Sequence, residues 1–138
     1  MFESTGADIV FVLARVLFGA TLAFTGVNHF LDTDGMAEYA EFKGIPFPRA
    51  SVLLSGGLLV FGGLSVVAGV VPAIGAGGLA LFLLASAVTM HDFWNMDGEE
   101  AQNEMNGFLK NVFGAGGALA FLAVAGSTWP YALNIGLV

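Results

Sequence analysis

Apolar residues run along this chain in long unbroken stretches, at residues 9–30, 51–71, 73–90 and 108–126. Each stretch is about 18–22 residues long, the length a helix needs to cross a hydrocarbon core of ~30 Å. Continuous runs of this kind argue against a membrane β-barrel, whose strands alternate at period two. The pattern predicts an all-α integral membrane protein, a single-domain bundle of four transmembrane helices over residues 1–138.

The polar segments fill in the rest. Within residues 31–50, Met36, Tyr39, Ala40 and Lys43 recur at helical spacing, which predicts a short interfacial helix between spans one and two. Gly44-Ile45-Pro46-Phe47-Pro48 ends it, since two prolines and a glycine cannot continue a helix. Spans two and three meet in Gly69-Val70-Val71-Pro72, with Pro72 suited to a first helical position. Residues 92–106 hold Asp97, Glu99, Glu100 and Glu104. Phe93 and Trp94 border that segment, Trp129 and Tyr131 follow the last span, and both pairs read as interfacial aromatic anchors.

Composition agrees with the solvent that the pattern implies. Charged residues make up 11% of the chain and hydrophobic ones 57%, against about a quarter charged in soluble domains. Twenty glycines are normal for membrane helices, which pack through small residues. The absence of cysteine excludes disulfides, thiolate chemistry and iron–sulfur ligation. The segment before the first span carries Glu3 and Asp8 and no cation, the reverse of a basic leader, so the first span is expected to remain as a helix.

Eleven acidic against four basic residues give a formal charge of −7. Such a surface excludes electrostatic binding of nucleic acid or anionic lipid. It also matches the acidic, lysine-poor surfaces of salt-adapted microbes. Localisation follows as multi-pass in the cell membrane. Lys43, Arg49 and Lys110 lie on the polar-segment side against Arg15 on the terminal side, so positive-inside counting places residues 31–50 and 92–106 in the cytoplasm.

Once lipid is the solvent, intramembrane polar groups need a reason. Antiparallel threading brings His29, His91, Asn106 and Lys110 to one membrane face. Arg15, Gly19, Leu22, Gly26 and His29 share one side of span one. Ala73, Gly77, Ala80, Leu84, Ala87 and His91 share a side of span three, and Asn106, Lys110, Gly114 and Gly117 a side of span four. Small residues mark the packed side of a membrane helix, so the polar residues should face inward and form a pocket roofed by the two loops. Arg15 sits apart, near the opposite face. It either snorkels to headgroups with Asp8 in reach, or points inward to helix carbonyls or an anion.

The same residues carry a resemblance. Arg15-x-Leu17-Phe18-Gly19, Gly26-Val27-Asn28-His29-Phe30, His91-Asp92-Phe93-Trp94-Asn95 and Asn106-Gly107-Phe108-Leu109-Lys110-Asn111 are together similar to the DoxX family of small four-span membrane proteins. The resemblance implies a membrane subunit associated with quinol-oxidase or thiosulfate:quinone oxidoreductase systems, or a partner of thiol-redox proteins or of membrane assembly. One departure is clear: many relatives carry a glutamate early in span two, where this chain has Leu53-Leu54-Ser55-Gly56-Gly57.

Two functions are then open. In the first, a redox subunit holds a quinone head in a ligand site built from His29, His91, Trp94, Asn106, Lys110 and Asn111. His and Lys would bond the carbonyls, and Trp94 or Phe93 would stack on the ring. The same polar groups could equally be structural ties, with Lys110 paired to Asp92 or Glu104. Haem between the two histidines is disfavoured by their interfacial position, and zinc by the small number of ligands. In the second, the chain is a non-catalytic scaffold or assembly factor. Its small residues (Ser65, Gly69, Gly56-Gly57, Gly62-Gly63) would then pack against other membrane proteins or a second copy in a homo-oligomer. A transporter fares worse, because few intramembrane polar groups exist to line a path. No nucleophile–base set, phosphate loop or paired carboxylates indicate a self-contained enzyme, and no catalytic residue is assigned.

Overall fold

The computed structural model describes residues 1–136. It is helical, in the order α1 (Thr5–Leu31), α2 (Thr33–Phe42), α3 (Pro48–Ala68), α4 (Pro72–Met90), a short 3₁₀ turn (Phe93–Asn95) and α5 (Gly98–Ala123). The boundaries follow local chemistry. Ser4 caps α1 by accepting the Ala7 N–H at 3.2 Å. Pro48 and Pro72 open α3 and α4, where a missing N–H costs nothing. Gly69 closes α3 at φ 68°, a left-handed conformation that glycine adopts freely.

The chain is therefore a four-helix membrane bundle with a short helix between its first two spans. The α1 and α3 helices, and the segment running from α4 through the 3₁₀ turn, are long and apolar enough to cross a bilayer. The fourth span is shorter than its apolar run suggested. Helix α5 begins with an acidic turn (Glu99, Glu100) and ends at Ala123 rather than Gly126. Its apolar part from Phe108 is thus about 24 Å long at 1.5 Å per residue.

Glycines set the packing. The faces of α1 and α3 meet through Gly19 against Gly63 and Gly26 against Gly56. A methyl group on Gly26 would lie 2.8 Å from the Val60 nitrogen, and one on Gly56 would lie 2.6 Å from the His29 Cβ. Leu79 of α4 seats over Gly62 of α3. Most of the small residues that could have served a partner are therefore used inside the bundle, and Gly57 is the one of them left open. The buried face of α4 is also rotated from the expected one. Gly75, Ala76, Leu79, Ala80, Leu83 and Ala87 are buried, whereas Leu84 is exposed. Leu79 and Leu83 bury more apolar surface than the smaller residues beside them, and that decides the rotation.

Past α5 the chain folds back across the far end of the bundle. Leu133 and Ile135 donate to the carbonyls of Ala68 and Gly69, and Val71 donates to Ile135 at 2.7 Å. Trp129, 1% exposed, enters the core edge-on to Phe11 and bonds the Val124 carbonyl through its indole N–H. It is a core residue, not the interfacial anchor expected, because this return carries it inside. Tyr131 stays exposed.

Arg15 holds this return. It is 2% exposed and donates to the backbone oxygens of Pro130 at 2.7 Å and Tyr131 at 3.1 Å. Its guanidinium lies 5.7 Å from the Phe11 ring centroid and 5.6 Å from that of Trp129. It neither snorkels nor pairs with Asp8, and the carbonyls it reaches belong to the returning segment rather than to a helix. Replacing it with leucine would strand two carbonyls in an apolar setting. Arg15→Leu should therefore lose about 2–4 kcal/mol of stability in detergent, because hydrogen bonds to charged groups are worth about 1.5–3 kcal/mol each. A denaturation titration that moved by less than about 0.5 kcal/mol, the size of a neutral surface change, would return Arg15 to the membrane surface.

Candidate functional site

The tight α1–α3 seam has a wide counterpart. Between α1 and the α4–α5 pair lies a cavity of about 1090 Å³, roofed by α2. Its walls reach from the loop end to Leu17 and Leu59, near the middles of their helices, and its deep part is apolar (Phe18, Leu22, Phe82, Leu83). Leu17, Thr21 and Thr25 of α1, and Ala85, Thr89 and Lys110 opposite, line it while remaining exposed. The cavity therefore opens along the side of the bundle, toward the acyl chains in a bilayer.

Four of the expected residues share this cavity: His29, His91, Lys110 and Asn111. Two do not. Trp94 is half exposed and packs edge-on with Phe93 and Phe108 outside it. Asn106 is exposed on α5. The inward arc of α5 runs through Gly107, Lys110, Asn111 and Gly114, an i, i+3, i+4, i+7 set that turns Asn106 outward. Gly107 is needed because a methyl group there would come within 2.5 Å of the His91 Nδ1.

Each imidazole is held through one nitrogen. The His29 Nδ1 lies 3.1 Å from the Val52 carbonyl oxygen and 3.0 Å from the Ser55 hydroxyl. The His91 Nδ1 lies 2.9 Å from a Glu104 carboxylate oxygen. The other Glu104 oxygen accepts a short hydrogen bond from Tyr39 of α2. Beside them Lys43, whose side chain is 4% exposed, pairs with Asp92 at 2.5 Å, and Asn95 donates to the second Asp92 oxygen at 3.1 Å. Lys110 takes neither expected partner, because Glu104 and Asp92 are already engaged. Among the described residues no carboxylate lies within ion-pairing distance of it.

This loop network was not read from the sequence as a unit. Tyr39 and Lys43 stand four apart on one face of α2 and pointed to it. Glu104 lies thirteen residues beyond His91, and only the 3₁₀ turn brings the two together.

The charges reinforce one another. Burial opposes ionisation of Glu104, but the Tyr39 and His91 hydrogen bonds and the Lys43 charge outweigh it and hold its pKa below the usual range. Asp92 is lowered by the hydrogen bonds from Lys43 and Asn95. Lys43 is pushed down by burial, yet Asp92, Tyr39 and Glu104 bring it above its ordinary value. Tyr39 is raised by burial and by Glu104.

Comparison with known proteins places the chain in context. The sequence model of the DoxX family matches residues 10–92, from α1 to the end of α4. Inner membrane protein YphA of Escherichia coli (strain K12) is 26% identical over 118 residues, covering 86% of this chain and 84% of that protein. No solved structure matches.

The pKa directions set a pH window for the roof of the cavity. Glu104 and Asp92 are depressed, so their contribution is present above the ordinary carboxylate pKa and is lost as pH falls through the lower folded values. Lys43 and Tyr39 are raised, so theirs is present below about pH 10 and is lost as pH rises through the folded values. Thermal melts in detergent should be flat from about pH 5 to 9 and fall on either side. Glu104→Gln should cost about 1–2 kcal/mol at pH 7 and flatten the acid limb. An acid limb unchanged by that substitution would place the proton uptake elsewhere.

Proposed function

The chain belongs to the DoxX family of membrane proteins, and from that premise we propose that it is a membrane subunit of a quinone-linked redox system. In this reading it holds the head of a lipid-soluble quinone in the cavity under α2. What carries the reading is the convergence of His29, His91, Lys110 and Asn111, from three helices, on one cavity with otherwise largely apolar walls. Ligand sites commonly pair apolar walls with a few oriented polar groups, in volumes of about 300–1,000 Å³. The lateral opening admits a ligand that arrives through the bilayer, with its tail along Leu17, Phe18 and Phe82 and its head at the histidines. Electrons would come from a partner, since the chain has no cysteine for thiol redox chemistry. The scaffold reading draws less support, because Gly56, Gly62, Gly63 and Ser65 are consumed inside the bundle.

The test is organic extraction of protein purified from native membranes, with total quinone, oxidised and reduced together, counted per chain. Near-stoichiometric quinone is expected in the wild type. It should fall at least about tenfold in the His29→Ala/His91→Ala double variant, the effect of losing about 1.4 kcal/mol of binding. Wild-type protein with no quinone above that of its co-purified lipid would end this reading.

We further propose that residues 31–50 and 92–106 face the cytoplasm of a cell whose inner membrane holds the protein, as it holds YphA. With Arg15 buried, the exposed cations Arg49 and Lys110 both lie on the loop side. The chain has no cysteine, so single introduced thiols report topology cleanly. Ser127→Cys should react with a membrane-impermeant maleimide in spheroplasts, and Glu38→Cys only after lysis. The opposite pattern would invert the protein.

A further inference from the structure

Hydrogen-bond roles place one hydrogen on the Nδ1 of each cavity imidazole, and with the rings neutral that restricts what the cavity takes. A carboxylate only accepts, and Glu104 is ionised at neutral pH. Its bond to the His91 Nδ1 at 2.9 Å therefore requires the proton to sit on that nitrogen. A carbonyl likewise only accepts, so the contact of the His29 Nδ1 with the Val52 oxygen at 3.1 Å places a proton on Nδ1 there too. Ser55 is consistent with this. Its hydroxyl donates to the Val52 oxygen at 3.0 Å, leaving the Ser55 oxygen free to accept from His29 at 3.0 Å. A neutral imidazole carrying hydrogen on Nδ1 has a bare lone pair on Nε2. Among the described residues neither Nε2 has a hydrogen-bond partner, and neither is sealed from its surroundings.

The polar end of the cavity thus offers two imidazole acceptors, His29 and His91, one cationic donor, Lys110, and the Asn111 amide, which can donate or accept. We infer that the cavity selects the reduced, hydroxyl-bearing form of an aromatic diol lipid over its oxidised, carbonyl-bearing form. This rests on the reading of the cavity as a head-group site. A quinone carbonyl would set its lone pairs against a bare Nε2, whereas a hydroxyl of the diol donates to it. Lys110 favours a phenolic hydroxyl over an aliphatic one. When the phenolic O–H breaks and its proton forms a new N–H bond on Nε2 of His91, the electron pair stays on oxygen as a phenolate beside the ammonium. No electron leaves the ligand in that step, and net charge is conserved. Glu104 acts as a positioning residue that fixes the accepting tautomer and stabilises the imidazolium.

The experiment measures affinities of a short-chain prenylated benzoquinol, the matching quinone and an alkanol of equal chain length, under anaerobic conditions at pH 8 in nanodiscs. Ligand-observed NMR is the readout. The diol should bind at least about tenfold tighter than the quinone, the discrimination expected when a buried polar pairing is lost. That ratio should shrink toward one in His29→Asn/His91→Asn, whose amides rotate to donate or accept alike. Imidazole ¹⁵N spectra of the ligand-free wild type supply a second readout, with both Nε2 atoms unprotonated. Quinone binding equal to or tighter than that of the diol, or protonated Nε2 atoms, overturns this inference and leaves the head-group site standing. An alkanol that matches the diol overturns the phenolic assignment. No binding of either redox form overturns both the inference and the site.

Discussion

Backbone contact between α1 and α3 is the constraint from which the rest of the bundle follows. Gly19 and Gly26 face Gly63 and Gly56 so closely that no side chain fits between the helices. Without a hydrophobic drive between helices in lipid, such contact supplies much of the attraction. It also decides where space is left. With α1 drawn onto α3, its other flank meets α5 only through large side chains: Phe18 tilts on Phe121 at 5.1 Å and covers Gly117. Toward the loops no aromatic continues that contact, and the helices enclose a cavity instead.

The two ends of the bundle are closed by different physics. At the far end the seal is apolar, with Trp129, Phe11 and Phe121 packed together and one buried cation clamping two carbonyls above them. That seal also spans the α3–α4 turn, where Val71 is held at φ 42°. A β-branched residue pays for that conformation, so the returning segment and the Ser65 hydroxyl must hold the turn. At the loop end the seal is polar. Tyr39 and Lys43 fasten α2 to Glu104 and Asp92, and the same Glu104 orients His91. The roof of the cavity and its chemistry therefore share one carboxylate.

The division between what could be read and what could not is physical. Helix number, the interfacial helix and the prolines that open α3 and α4 were legible because they depend on local properties: apolar run length, 3.6-residue spacing and the missing proline N–H. The convergence of His29, His91 and Lys110 was legible for a related reason, since antiparallel threading fixes depth. Rotation of α4 and α5 about their axes was not, unlike that of α1, whose Arg15, Gly19 and Gly26 are buried as expected, because it depends on which of two neighbouring arcs buries more volume. That is why Leu84 and Asn106 turned outward, and why Leu83 lines the cavity.

The sequence by itself thus determined that this chain lives in a membrane, crosses it four times and gathers its rare polar residues at one level. Those outcomes follow from solvent transfer and chain length, which add up residue by residue. Only the tertiary structure decided that Arg15 bonds Pro130 and Tyr131, that Trp129 is core, and that Glu104 rather than a nearer acid meets His91. Each joins residues whose meeting depends on how the chain folds back after α4 and after α5. Local sequence carries no record of that return, because what selects it is the satisfaction of buried carbonyls and charges across the whole bundle.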